Sequence, residues 1–177
     1  MNCMSTYREQ LRCPRDEIDL DFWRKPEGVS VPDDELDFLL VPDTVEAMAT
    51  CAVAQQVHDY QREQAGTGEP ITRALMATMG GMLPGILLYD HLVHGRPAGT
   101  PRIDFGTVGV SLYHGPDQRH DTLRLTQDVT TPVRDEVVLL MDDLCDRGDT
   151  MQFLTGLMAD RGAAEVLTLA VYMKPRA

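Results

Sequence analysis

The sequence predicts an α/β domain built on a mostly parallel sheet flanked by helices, and three consecutive segments near its C-terminus carry that expectation. Val137-Val138-Leu139-Leu140-Met141 is an unbroken apolar run, as in a strand covered on both faces. Residues 150–161 then place Met151, Leu154, Leu157 and Met158 on one helical face, and Gly162 stops the helix. Val166 to Met173 is a second β-rich run. Strand, loop, helix, strand is the βαβ unit, and several in series give a layered α/β sheet.

The earlier elements follow in order. Residues 1–37 are polar, acidic and punctuated by proline, with one apolar island at Phe22-Trp23, and read as an extension ahead of a domain spanning 38–177. Phe38-Leu39-Leu40-Val41 reads as a short strand or an apolar lead-in. Asp43 and Glu46 stand three apart, as in a capping box. A helical stripe of Val45, Ala49, Ala52, Val53, Val57 and Tyr60 follows, and the helix ends near Gly66-Thr67-Gly68. Ile71 to Thr78 reads as a strand that Gly80-Gly81 breaks. Pro84 suits the first turn of the next helix, which carries Ile86, Leu87, Leu88 and Leu92. Ile103 to Tyr113 is β-rich, His114 to Asp121 reads as a polar loop, and Thr122 to Leu125 as a short strand.

Bulk properties narrow the function classes. A chain of 177 residues fits one domain with a sizeable core, and 43% hydrophobic with 25% charged residues is ordinary globular composition. No apolar run is long enough to span a bilayer, and the charged N-terminus lacks the apolar region of a signal peptide. Cys3, Cys13, Cys51 and Cys145 are scattered, with no CxxC and no His at metal-ligand spacing, which suits reduced thiols in a cytoplasmic protein. A formal charge of -12 without a Lys/Arg run argues against a nucleic-acid partner.

Ligands of α/β sheets bind at the carboxyl ends of strands, which directs attention to Asp142-Asp143-Leu144-Cys145-Asp146-Arg147-Gly148-Asp149-Thr150. The adjacent carboxylates of Asp142 and Asp143 can accept hydrogen bonds from vicinal ribose hydroxyls, or hold Mg²⁺ through water. From Asp146 to Thr150 a turn enters a helix N-terminus, where backbone N–H groups and the helix dipole favour an anion. Gly148 permits close backbone approach, and Thr150 offers a hydroxyl. A plain strand-to-helix loop with solubilising acids would share the carboxylates, as would Mg²⁺-dependent phosphotransfer folds.

The full string is more specific. Four apolar residues, two acids, two apolar-type residues and D-x-G-x-T resemble the phosphoribosyl pyrophosphate (PRPP) motif of type I phosphoribosyltransferases. The resemblance covers roughly residues 38–175 and is nearest to the hypoxanthine-guanine and xanthine-guanine branch. Met79-Gly80-Gly81-Met82 falls where that branch has its pyrophosphate loop. Ile103-Asp104-Phe105 and Ser111-Leu112-Tyr113 look like the strand entering its flexible loop, with His114 to Asp121 as a candidate lid or, alternatively, a plain surface hairpin. Ala170-Val171-Tyr172-Met173-Lys174-Pro175 resembles the strand carrying its base-binding lysine.

That resemblance implies a type I phosphoribosyltransferase fold, Mg²⁺ as cofactor, PRPP and a purine-like base as substrates, and a homo-oligomer. Asp142 and Asp143 would bind the ribose hydroxyls and the metal. Asp146 would stand near N7 of the base as general acid/base. Arg147, Gly148, Asp149 and Thr150 would cradle the 5-phosphate, with Met79 and Gly80 on the pyrophosphate side. Ser111 and Tyr113 would belong to the flexible loop. Lys174 would donate to the oxygen at C6, and such a charged hydrogen bond is worth about 1.5–3 kcal/mol. The implied reaction is displacement of pyrophosphate from C1 of PRPP by a ring nitrogen. Two other readings remain: a sensor that binds PRPP or a nucleotide without turnover, and an enzyme of this fold acting on an unusual heterocycle.

The sequence also departs from the family pattern. Arg147 stands where a small Thr is usual, Met79 where Lys or Arg is common, and Leu112 where a small hydroxyl residue precedes the tyrosine. After Lys174 the family usually continues into a tail whose aromatic side chain stacks on the base, whereas Pro175-Arg176-Ala177 closes this sequence. The expectation is that residues 17–37 fold back as a hood, with Trp23 or Phe22 beside the base. Packing of this aromatic pair elsewhere on the domain or at a subunit interface is the alternative.

Overall fold

The computed structural model describes residues 43–66, 68–115, 118–145 and 147–173, with backbone alone for 43–45, 112–115 and 118–122. Phe38 to Val41 lie outside the described residues. Backbone contacts divide the chain into Met1–Glu46 and Ala47–Ala177, and the elements below belong to the second unit apart from the opening turn of the first helix. In chain order they are α1 (Asp43–Gln64), β1 (Arg73–Thr78), α2 (Met82–His94), β2 (Asp104–Gly115), β3 (Gln118–Gln127), β4 (Val137–Cys145), α3 (Asp149–Asp160) and β5 (Glu165–Met173).

The five strands form one sheet in the order β3-β2-β1-β4-β5. β1 pairs in parallel with both β2 and β4, β4 with β5 likewise, and β3 returns antiparallel along β2. The chain thus builds outward on one side of β1, then crosses to build outward on the other. The reversal falls between β1 and β4, where an α/β sheet opens a crevice at its carboxyl edge.

Strand alternation explains the two cores. Ala74 and Met76 of β1, with Leu139 and Met141 of β4, pack toward α1 and α2. Leu75 and Ala77, with Val138 and Leu140, pack toward Met151, Leu154 and Met158 of α3. Both faces of β4 are therefore covered, which is why its sequence is apolar without interruption.

Four readings are sharpened or corrected by the structure. On α1 the buried row is Thr50, Ala54, Val57 and Gln61, while Ala52 is exposed. The polar member is tolerated because the Gln61 amide donates to Ile71 O at 2.9 Å and accepts from Ile71 N at 2.7 Å, so a buried side chain takes the place of a strand neighbour. On α2 the buried row is Pro84, Gly85, Leu88 and Leu92, leaving Leu83, Ile86 and Leu87 as an outward apolar row. A Cβ at Gly85 would lie 2.6 Å from Met76 Cγ, so the helix presses its glycine onto β1.

The third correction concerns the polar stretch His114 to Asp121. Both β2 and β3 extend into it, pairing Gly115 with Gln118 across residues 116 and 117. A polar sequence is compatible with antiparallel pairing, which satisfies backbone groups whatever the side chains. The fourth concerns β4, which continues past Met141 to Cys145 because β5 stays paired with it: Asp142 opposes Ala170, Leu144 opposes Tyr172 and Cys145 opposes Met173. Asp142 and Asp143 are strand-end residues, held by a neighbouring strand.

Candidate functional site

A cleft of about 390 Å³ opens at the reversal point, between the carboxyl ends of β1 and β4, the start of α3 and the β2–β3 hairpin. From β1 it receives Thr78, Met79 and Gly80, from β4 the stretch Asp142 to Cys145, from the α3 turn Arg147 to Thr150, and from the hairpin Val110, Ser111 and Leu123. Residues far apart in sequence meet here because parallel strands point the same way.

The β1 side is a glycine turn. The Thr78–Met79 peptide is cis, and Met79 is 84% exposed. Gly80 and Gly81 let this turn lie directly against the end of β4. A Cβ at Gly81 would stand 2.6 Å from Met141 O and 3.0 Å from Asp142 Cα, both backbone atoms that cannot swing aside.

On β4, each acid is oriented by the amide that follows it. Asp143 N–H donates to Asp142 Oδ1 at 3.0 Å, and Leu144 N–H donates to Asp143 Oδ1 at 2.7 Å. Burial lifts the Asp142 pKa from 3.8 to about 6; the Asp143 N–H pulls it down, and the neighbouring Asp143 carboxylate pushes it up. Two adjacent carboxylates in a half-buried position form a site that a cation would relieve. Among the described residues no three metal-ligating acids, histidines or cysteines gather round one point. A carboxylate pair nevertheless fits Mg²⁺, which keeps much of its water and takes its remaining ligands from substrate oxygens.

The third wall is the entry to α3. Gly148 adopts φ +85° and ψ 0° and caps the helix without any side-chain hydrogen bond. Its carbonyl accepts from Gln152 N at 2.8 Å, so the helix is wound from this point onward. The first-turn amides and the positive end of the helix dipole therefore present an anion site at the cleft. Arg147 adds a cation 3.8 Å from Asp149 Oδ2. A Cβ at Gly148 would meet nothing nearer than Cys145 Sγ at 4.0 Å. Glycine is demanded here by backbone handedness rather than by lack of room within the protein.

The structure thus brings Asp142, Asp143, Arg147, Gly148, Asp149, Thr150, Met79, Gly80 and Ser111 to one cleft. Tyr113 lies on β2 opposite Arg119. Asp146, Lys174 and Trp23 lie outside the described residues. Sequence reasoning passed over Val110 and Leu123, whose approach depends on the β2–β3 pairing, and gave no role to Leu144 and Cys145, which line the cleft because β4 continues beyond the acids.

No protein-family model matches the chain. A stretch of 73 residues is 32% identical to the hypoxanthine-guanine phosphoribosyltransferase of Streptococcus pneumoniae, covering 41% of each chain. Another of 67 residues is 37% identical to that of Lactococcus lactis, covering 37% of this chain and 36% of the relative. The chain matches about two fifths of the length of these curated relatives. Among solved structures, a purine phosphoribosyltransferase from Pyrococcus horikoshii superposes with a TM-score of 0.57 at 20% identity, over 76% of this chain and 77% of that one. The hypoxanthine-guanine phosphoribosyltransferase of L. donovani does so with 0.61 at 23% identity, over 78% and 73%. The sheet, its reversal point and these superpositions agree: the chain has the type I phosphoribosyltransferase fold, and part of its sequence resembles the hypoxanthine-guanine branch.

Proposed function

We propose that the protein transfers the 5-phosphoribosyl group of PRPP to a ring nitrogen of a purine-like base, releasing pyrophosphate, as a cytoplasmic enzyme of purine salvage. One observation carries this reading: an adjacent carboxylate pair on β4 and a left-handed glycine turn into α3 face the same cleft as the β1 glycine turn. A sugar with an anion at one end and a pyrophosphate at the other needs those three walls. The local sequence resemblance to hypoxanthine-guanine phosphoribosyltransferases supports the choice of base.

In this reading the α3 turn, with Arg147, Gly148, Asp149 and Thr150, holds the 5-phosphate. Asp142 and Asp143 accept from the ribose 2- and 3-hydroxyls, and would hold Mg²⁺, which supplies positive charge to the departing pyrophosphate. Met79 and Gly80 border the pyrophosphate. Asp146 takes or gives the proton at N7, and Lys174 donates to the base oxygen. The hairpin carrying Ser111 and Tyr113 excludes water from C1. The outward apolar row Leu83, Ile86 and Leu87 on α2 supports a homo-oligomer.

The test is pyrophosphate release by the full chain with PRPP, Mg²⁺ and a panel of hypoxanthine, guanine, xanthine and adenine. Release with a 6-oxopurine and little with adenine is expected; none with any purine refutes the transferase assignment. A second reading, a PRPP sensor without turnover, is favoured by Met79. Among the described lining residues Arg147 is the one cation, and it lies on the 5-phosphate side. A sensor would bind PRPP–Mg²⁺ tightly and release no pyrophosphate.

A further inference from the structure

α2 begins beside the cleft at Met82 and ends at His94, about 20 Å away along its axis. At that far end a second cavity, about 580 Å³, lies against α1 and is lined by Cys51, Gln55, His58, Asp90, His91 and His94. The reaction proposed above uses none of these residues. Four carry thiol or imidazole groups, gathered from two helices some forty positions apart.

The distances are informative. Cys51 Sγ stands 3.5 Å from His91 Nε2. A tetrahedral zinc ion, with Zn–S about 2.3 Å and Zn–N about 2.0–2.1 Å, holds two such donors about 3.5 Å apart. The separation of the pair therefore matches that of two donors on one ion. Cys51 is exposed, so an ion can reach it. His58 Nε2 is buried and has no hydrogen-bond partner, a condition a bound metal would relieve. His94 sits one turn from His91 on the same helix and lines the same cavity. Among the described residues no three such groups already surround one point, so a third donor must swing toward the preset pair.

We propose that this cavity binds a divalent ion of borderline softness, of which Zn²⁺ is the type, through the Cys51 thiolate and the His91 imidazole, with a third donor from His58 or His94. Mixed sulfur and nitrogen donors select such ions over Mg²⁺, whereas the oxygen donors of Asp142 and Asp143 do the reverse. The two sites would therefore not compete for one metal. Binding releases the Cys51 proton to solvent and ties α1 to the end of α2.

The test uses the full chain, reduced and metal-free, titrated with Co²⁺ as a spectroscopic stand-in. Support is one equivalent bound, with visible bands of tetrahedral cobalt and a near-ultraviolet thiolate-to-cobalt band, both displaced by Zn²⁺. Cys51→Ala and His91→Ala should each weaken binding tenfold or more, while Cys145→Ser and the Cys3→Ser/Cys13→Ser pair leave it unchanged. Cys51→His should keep cobalt binding and lose the thiolate band, which separates loss of a ligand from loss of the fold. Absence of a thiolate band in the unmodified chain, its persistence in Cys51→Ala, or its loss only with Cys145 or the N-terminal cysteines would overturn the site and leave the 3.5 Å contact as a thiol–imidazole hydrogen bond.

Discussion

Gly80 and Asp143 stand so close that no side chain fits between them: a Cβ on Gly80 would lie 2.6 Å from Asp143 Oδ1. The glycine turn after β1 and the acid at the end of β4 are in effect one wall of the cleft. Gly80→Ala should push the carboxylate aside rather than disturb backbone. We expect the melting temperature to fall by only a few degrees while PRPP affinity drops about tenfold, equivalent to about 1.4 kcal/mol. Gly81→Ala meets the backbone oxygens Met141 O and Ala77 O instead, so its loss should appear as stability, about 1–3 kcal/mol. Calorimetric PRPP titration beside thermal melting distinguishes them, and equal effects of the two variants on binding would contradict this division.

At Gly148 the requirement is handedness. With φ +85° and empty space around the missing Cβ, substitutions should rank by their tolerance of the left-handed region: Gly best, then Asn, Ala and Val. Ala should cost about 1–2 kcal/mol of stability or an equivalent loss of the turn. PRPP affinity measured across the four proteins should follow the same order. If Val binds PRPP as well as Gly does, the α3 turn is not the phosphate site.

Asp142 sets a pH dependence. Its folded pKa, about 6, lies above the 3.8 of an ordinary aspartate, chiefly through burial. The folded state therefore holds the proton more tightly than the unfolded one. That contribution to stability is complete below about pH 4 and is lost as pH rises through 6. The full shift would correspond to about 3 kcal/mol, and solvent screening at this half-exposed position reduces it to about 1 kcal/mol. Asp142→Asn should thus be more stable than the unmodified chain at pH 7.5 and no more stable at pH 3.5, as read by urea unfolding. Combined with Asp143→Asn it should keep the fold and abolish Mg²⁺-dependent PRPP binding.

Arg147 should act on binding and hardly on folding. It is more than half exposed and its ion pair with Asp149 spans 3.8 Å, so Arg147→Ala should change stability by less than about 0.5 kcal/mol. A charge-assisted contact to a phosphate is worth more. PRPP affinity should fall about three- to tenfold, and its decline with added salt should become shallower. Salt dependence identical in the two proteins would place Arg147 outside the phosphate site.

The parallel core was legible in the sequence because burial on both faces writes itself as an uninterrupted run, as in Val137 to Met141. The α3 turn was legible because Gly148 and the acids before it are local features of one strand-to-helix junction. The facing of helices was less legible. Nothing in the sequence marks Gln61 as buried until Ile71 supplies both of its hydrogen-bond partners, and the apolar run Ile86-Leu87-Leu88 does not itself say that α2 lays Gly85 and Leu88 on the sheet. Pairing across forty residues, as between Cys51 and His91, leaves no periodic trace. Both strands of the β2–β3 hairpin were legible, but their extension through the polar stretch 114–121 was not, since backbone pairing there is something composition does not report.

That hairpin has a consequence for how the molecule exchanges its amide hydrogens. Along β1 and β4 the register is unbroken and both faces are covered, whereas β2 and β3 shift register at Gly109/Val110, at Ser111/Tyr113 and again at Tyr113/Gly115. Each shift removes ladder bonds and loosens the pair. The distal hairpin should therefore open by itself, at a free energy well below global unfolding, while the strands bearing Asp142 and Gly80 stay shut. Deuterium should enter the amides of β3 and the far half of β2 long before those of β1 and β4. On the proposed reading, the acids assigned to the ligand would then be mounted on the slowest-exchanging part of the sheet, and the wall contributed by Ser111 and Leu123 on the fastest. Such a division lets a ligand enter and leave without slackening the groups that orient it.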